Sequence, residues 1–284
     1  MTRPSTSRPP GPLVILFHPG GFFLGSPAKL TTYARALATL FGASVLCPSY
    51  RFAPEHPFPT GIKDAWAVVQ WAASHAEELN ADPISQGFLL GGVSSGANFA
   101  VALTRHAVEA GLHPRITGAW APLFIGCVSP EHVPDRYGEL CVSHEQNSDA
   151  LVIDKGKAAT MWEYYKPENA SPLFNPLAVG ADSAFDLGCM PKVCLQVAGQ
   201  DLFRDDGLVF GYALRDAGAQ VRVDVYPGVP HSFWVFAPSL EVSRECIRNM
   251  VEGFAWLLGV AIEDLPEEWE VAMVAPRIQL DDRV

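Results

Sequence analysis

Three residue types at well-separated points of the chain are the set needed for acyl transfer: a serine, a histidine and a carboxylate. Gly92-Val93-Ser94-Ser95-Gly96 fits G-x-S-x-G, in which flanking glycines permit a tight turn that lifts the serine hydroxyl clear of the backbone. That hydroxyl is a weak nucleophile until a base takes its proton, and the base needs an acid to fix its tautomer and stabilise the imidazolium. His231 stands in a Gly/Pro-rich turn and Asp201 ends Gly199-Gln200-Asp201. The order Ser94, Asp201, His231 is the one expected of a serine presented between a strand and a helix. Asp205 and Asp206 are rival acids, but they open the next helix, where carboxylates commonly cap. His56, His75, His106, His113, His132 and His144 read as surface or loop residues.

A second glycine-rich stretch, His18-Pro19-Gly20-Gly21, is suited to holding a developing oxyanion, because glycines let the backbone approach a substrate. Pro19 has no N–H, so the donors are expected to be Gly20 and Gly21, with Ser95 as the third. An ordinary Pro-Gly turn is the alternative. A phosphate loop at Gly92–Gly96 is set aside, since no Lys-Ser/Thr pair follows Gly96.

These residues need elements to position them, and the chain supplies strand-like and helix-like segments in alternation. That is the pattern of an α/β fold, a mostly parallel sheet flanked by helices. Strands are expected at Leu13–Phe17, Ser44–Cys47, Phe88–Leu90, Ile116–Trp120, Val193–Val197 and Val221–Tyr226. Helices are expected at Pro27–Leu40, Ile62–Leu79, Ala97–Ala110 and Leu208–Ala217, with the last long one inside Phe233–Leu258. Ser94, Asp201 and His231 then each follow the carboxyl end of a strand, where sites of such sheets assemble. Between about 124 and 178 the alternation breaks down. Five prolines and the aromatics Trp162, Tyr164 and Tyr165 mark a cap insertion after the strand near 116–120. The aromatic patch is either the cap's own core or the lining of an acyl or alcohol pocket. Residues 1–284 otherwise read as a single domain, with the acidic stretch beyond Gly259 unplaced.

The chain has 284 residues, 49% hydrophobic and 18% charged, enough for one sizeable core. A formal net charge of −11 argues against nucleic acid or an anionic membrane as partner. Six cysteines lack metal-ligand spacing and several sit in apolar runs, which suits reduced thiols and a cytoplasmic location. No signal peptide or membrane span is visible. Val221–Tyr226 is expected at a sheet edge, and edge pairing is a route to a homodimer.

The chain resembles the hormone-sensitive-lipase-like family of esterases. Leu16-Phe17-His18-Pro19-Gly20-Gly21-Phe22 is similar to that family's HGGG loop. Tyr50-Arg51-Phe52-Ala53-Pro54-Glu55-His56-Pro57-Phe58-Pro59 is similar to its YRLAPEHPFP segment, a structural loop. Gly92–Asn98, Gly199–Asp205 and Tyr226–Phe233 resemble GDSAGGN, GxxDPLRD and YPGxxHGF. The resemblance implies an α/β-hydrolase fold, the Ser94–Asp201–His231 triad and hydrolysis of a carboxylic ester without metal or organic cofactor. The aromatic insertion and acidic surface suggest a small-to-medium uncharged ester as the small-molecule substrate. Two departures stand out: Pro19 replaces the first glycine of the loop, and Val93 replaces the usual acidic residue or Thr. Only about a dozen residues precede the first strand, where family members carry cap helices and two more strands, so a shortened sheet and an open site are expected. Rival readings are an acyltransferase, lactonase or amide hydrolase using the same triad. A non-catalytic binder, as in plant gibberellin receptors that lack the histidine, is the other.

Overall fold

All five side chains of the run Leu13–Phe17, strand β1, are buried. A strand covered on both faces is apolar throughout, yet its side chains still alternate. Leu13, Ile15 and Phe17 enter one apolar cluster, and Val14 and Leu16 enter another on the opposite face. With β2 (Ser44–Leu46), β3 (Phe88–Gly92), β4 (Gly118–Pro122), β5 (Lys192–Ala198) and β6 (Val221–Tyr226) it forms a sheet of order β2-β1-β3-β4-β5-β6. Every pairing is parallel. The computed structural model describes residues 8–126, 133–178, 185–266 and 269.

The helices are α1 (Thr31–Leu40), α2 (Thr60–Ser74), α3 (Ser95–Glu109), α4 (Asp135–Gly138), α5 (Ser143–Gln146), α6 (Lys155–Tyr165), α7 (Arg204–Asp216), α8 (Phe233–Phe236) and α9 (Glu241–Leu258). Leu37 of α1 and Met250, Phe254 and Leu257 of α9 cover one face of the sheet. Val69 of α2, Phe99 and Leu103 of α3, and Val209 and Phe210 of α7 cover the other. From β1 the chain passes outward to β2 and then returns to place β3 on the other side of β1. The order therefore reverses between β1 and β3, and crevices form outside the carboxyl ends of strands at such a point. Phe17 pairs with Gly92, so the two strands end level with one another.

The six strands lie where the sequence places them, within two residues. β3 runs on through Gly91 and Gly92, whose small size lets the strand pass between Leu16, Trp120 and the turn that follows. β4 begins at Gly118 because Thr117 completes the pairing itself, its Oγ1 accepting from the Phe88 N–H at 2.9 Å. The expected helix over Ile62–Leu79 stops at Ser74, and turns carry the chain on to Asn80, which has φ +52°. The helix expected from Pro27 opens with a 3-10 turn, Pro27–Leu30. Pro238 separates the single turn α8 from α9. Cys47, Cys141, Cys189, Cys194 and Cys246 are free thiols, and Cys127 lies outside the described residues. No helix among the described residues is long and apolar enough to cross a membrane. β6 is an edge strand, with Val225 exposed.

The described residues 133–178, between β4 and β5, carry α4, α5 and α6. Two carboxylates at the start of α7 hold the segments leaving β4. Asp205 accepts the N–H groups of Val142 and Ser143 at 2.8 and 2.6 Å, and Asp206 accepts that of Gly126 at 2.9 Å. Both side chains are buried. The sequence suggests helix caps here; instead these carboxylates dock another segment, because orphan N–H groups of an irregular buried stretch need acceptors. Asp205→Ala leaves two such donors unpaired and is expected to cost about 2–4 kcal/mol. Urea denaturation checks this, as a fall in midpoint that Asp205→Asn, which keeps one acceptor oxygen, reproduces only in part.

Candidate active site

Ser94 sits between β3 and α3 with φ 59° and ψ −119°, a region that a residue with a Cβ avoids. A Cβ on Gly96 would strike the Phe17 and His18 carbonyls, and one on Gly92 would strike the Gly96 and Phe17 backbone. These glycines let the turn nest against the end of β1. The Ser94 N–H donates to the Pro122 carbonyl of β4 at 3.1 Å, and its own carbonyl accepts from Ala97 and Asn98 as α3 begins. Val93 is buried in the apolar cluster under α1 and α9, so an apolar residue suits the position.

The Asp201 and His231 loops follow β5 and β6 and are tied together. Gly199 donates to the Tyr226 carbonyl at 2.8 Å and Gln200 to that of Val229 at 2.9 Å. His231 Nδ1 lies 2.6 Å from Asp201 Oδ2, and His231 Nε2 lies 3.0 Å from Ser94 Oγ. The network places the proton on Nδ1, donated to the carboxylate, and leaves Nε2 to accept from the hydroxyl. All three side chains are buried. The second oxygen of Asp201 accepts the Phe203 N–H at 3.1 Å, and Asn147 of the insert donates to the Asp201 carbonyl at 2.7 Å. The sequence's three candidates are thus brought together, and its rival acids Asp205 and Asp206 point elsewhere.

Gly20, Gly21 and Phe22 have φ 147°, 60° and 70°, and the Gly20 carbonyl accepts from Phe23 and Leu24 at 3.2 and 3.1 Å. The N–H groups of Gly20, Gly21 and Ser95 have no acceptor among the described residues. Gly20, Gly21 and Ser94 line one cavity of about 760 Å³. Its walls are mainly apolar and come from Phe23, Val93, Val152, Ile153, Met161 and Phe236. The aromatic patch does not line it: Tyr165 stacks on Phe22 at 3.8 Å, Trp162 meets Phe174 at 5.7 Å, and Tyr164 meets Phe23 at 5.4 Å. Of the two roles the sequence left open for the patch, it takes the packing one. Tyr33, Val152, Ile153 and Met161 escaped the sequence reading, because neighbours within the cavity carry no shared spacing along the chain.

A model of the α/β-hydrolase fold family matches residues 14–235. An AB hydrolase superfamily protein of Schizosaccharomyces pombe is 33% identical over 246 residues, covering 87% of this chain and 71% of the relative. Carboxylesterase NlhH of Mycobacterium tuberculosis is 30% identical over 237 residues, 82% of this chain and 70% of its own. Among solved structures, vibralactone cyclase superposes with a TM-score of 0.80 at 28% identity, over 91% of this chain and 74% of that one. The chain belongs to the α/β-hydrolase fold family, among carboxylesterase relatives, and is an enzyme of the hydrolase class.

Burial also sets a pH response. His18, His106 and His144 are held below their ordinary value of 6.5, first of all by loss of hydration. Each therefore stays neutral in the folded chain at a pH where the unfolded chain already takes up a proton. Their contribution to stability is full above pH 6.5 and is lost as the pH falls towards their depressed folded values. Denaturant midpoints should be level well above pH 6.5 and decline as the pH falls below it. The decline should be shallower in His144→Gln, and an unchanged slope across Gln variants of all three would contradict burial as its cause.

Proposed function

We propose that the chain hydrolyses a carboxylic ester through an acyl-enzyme formed on Ser94. The observation that carries this is the continuous line Ser94 Oγ, His231, Asp201, with contacts of 3.0 and 2.6 Å, opening into an apolar cavity. Ser94 attacks the ester carbonyl as His231 Nε2 takes its proton. The carbonyl oxygen becomes an oxyanion held by the amides of Gly20, Gly21 and Ser95. Asp201 holds the imidazole and stabilises its charge. The protonated His231 gives its proton to the departing alcohol, and a water then enters on the same path and releases the acid. The three N–H groups without acceptors support the oxyanion assignment, since each donor of this kind is worth roughly 10²–10³ in rate. A small-to-medium ester, as suggested by the sequence, suits these walls, where its apolar part sheds water, while Lys29 and Lys157 also line the cavity.

A second reading keeps the triad and replaces water by a hydroxyl, giving acyl transfer or lactone closure. The likeness to vibralactone cyclase favours it. Products formed with competing alcohols present separate the two: free acid marks hydrolysis, and a new ester marks transfer.

On p-nitrophenyl butyrate, Ser94→Ala is expected to lower kcat by at least about 10⁴-fold, and Asp201→Asn by about 10⁴-fold through the wrong imidazole tautomer. Unchanged turnover in Ser94→Ala would exclude the mechanism. A folded wild type that neither turns over esters nor reacts with a fluorophosphonate would instead indicate a binding role.

A further inference from the structure

Helix α6 of the insert faces the cavity with Lys157, Thr160 and Met161, and its last residue, Tyr165, reaches the loop that carries Gly20 and Gly21. Immediately after Gly21, Phe22 adopts φ 70°, a conformation that its Cβ disfavours. Its ring lies flat on that of Tyr165, with centroids 3.8 Å apart and planes 6° from parallel. Both rings are buried. Tyr165 is held in turn by edge contacts with Phe58 at 5.7 Å, and its carbonyl accepts the Phe58 N–H at 2.8 Å. The Tyr165 hydroxyl has no hydrogen-bond partner among the described residues, so the ring is the part that acts. On the cavity side, Met161 Sδ packs so close to Gly21 that a Cβ there would come within 3.1 Å of it.

We propose that Tyr165 is a positioning residue for the oxyanion hole: its ring locks Phe22 in the left-handed conformation and thereby aims the Gly20 and Gly21 amides. The inference rests on the ester-hydrolase reading for the role of those amides. Its physical reason is local. Gly20 and Gly21 have no Cβ to resist rotation. Phe22, whose other ring contacts with Phe99 and Phe174 are longer, at 5.6 and 6.2 Å, relaxes towards negative φ when the stacked Tyr165 face is lost. That relaxation turns the peptide between Gly21 and Phe22 and with it the preceding donors. A donor must lie within hydrogen-bond reach of the oxyanion, so a small rotation removes its effect.

The test compares wild type, Tyr165→Phe and Tyr165→Leu, with kcat expressed per site titrated by a fluorophosphonate. Tyr165→Phe keeps the stack and should retain kcat and KM within about twofold. Tyr165→Leu should lose about 10²-fold in kcat per titrated site, as for loss of one oxyanion donor, with KM changed far less. Its affinity for a trifluoromethyl ketone, which becomes an oxyanion on addition of Ser94, should weaken in parallel. Phe22→Leu removes the same stack from the other ring and serves if Tyr165→Leu fails to fold. Wild-type kcat per site and undiminished ketone affinity in the leucine variants, with only the titre or the melting temperature reduced, would overturn the proposal. Ketone binding that responds as expected in a protein turning over no ester would overturn the hydrolase reading and leave the positioning role standing. No ketone binding by the wild type would overturn both.

Discussion

Ser94 keeps φ 59° against the preference of its own side chain, and three neighbours share the cost of holding it there. The Pro122 carbonyl fixes its N–H from β4, the first turn of α3 fixes its carbonyl, and the end of β1 presses on Gly92 and Gly96. Each neighbour arrives through the parallel register, in which β1 and β3 end level and β4 follows one strand further on. Strain of this kind, typically about 1–3 kcal/mol, persists only where its surroundings over-determine it. The sheet is therefore more than a scaffold near the site. Its register is the clamp that exposes the hydroxyl, and the reversal of strand order between β1 and β3 leaves the room in front of it.

The remaining groups are fastened by backbone hydrogen bonds between loops. Gly199 and Gln200 bind the carbonyls of Tyr226 and Val229, so the carboxylate and the imidazole share one rigid support. That support explains a contact of 2.6 Å between His231 and Asp201 with both side chains buried. The insert reaches the same support from outside: Ser143 Oγ donates to the Leu202 carbonyl at 2.8 Å, and Asn147 donates to that of Asp201. At its other end it bears on the Gly20–Phe22 loop through Met161 and Tyr165. One segment thus touches the acid loop and the loop of free amides.

Much of this was legible in the residues. Apolar runs with turn residues at their ends located six strands, since a strand buried on both faces must be apolar throughout. Gly92 and Gly96 around Ser94 marked the turn because no residue with a Cβ fits at either place. Asp201 and His231 were found from their places after strands, a rule of topology that needs no coordinates. The stretch between β4 and β5 breaks the alternation in the sequence, but its inner contacts are not legible there. Asp205 and Asp206 read as caps, yet they accept amides from segments about 60 to 80 residues away. Trp162, Tyr164 and Tyr165 read first as a core of their own segment and second as a pocket lining, and their partners bear out the first.

What the order of residue types determined was the class of fold, the sheet's direction and the three side chains that converge, because these follow from local periodicity and chain order. What tertiary structure decided was the distance between those side chains, the shape and apolar character of the cavity, and which aromatic ring meets which. Such contacts join Phe22 to Tyr165 or Ser94 to His231 across more than 130 residues of chain. No spacing along the sequence encodes them, because packing against a shared neighbour selects partners by shape after the sheet has formed.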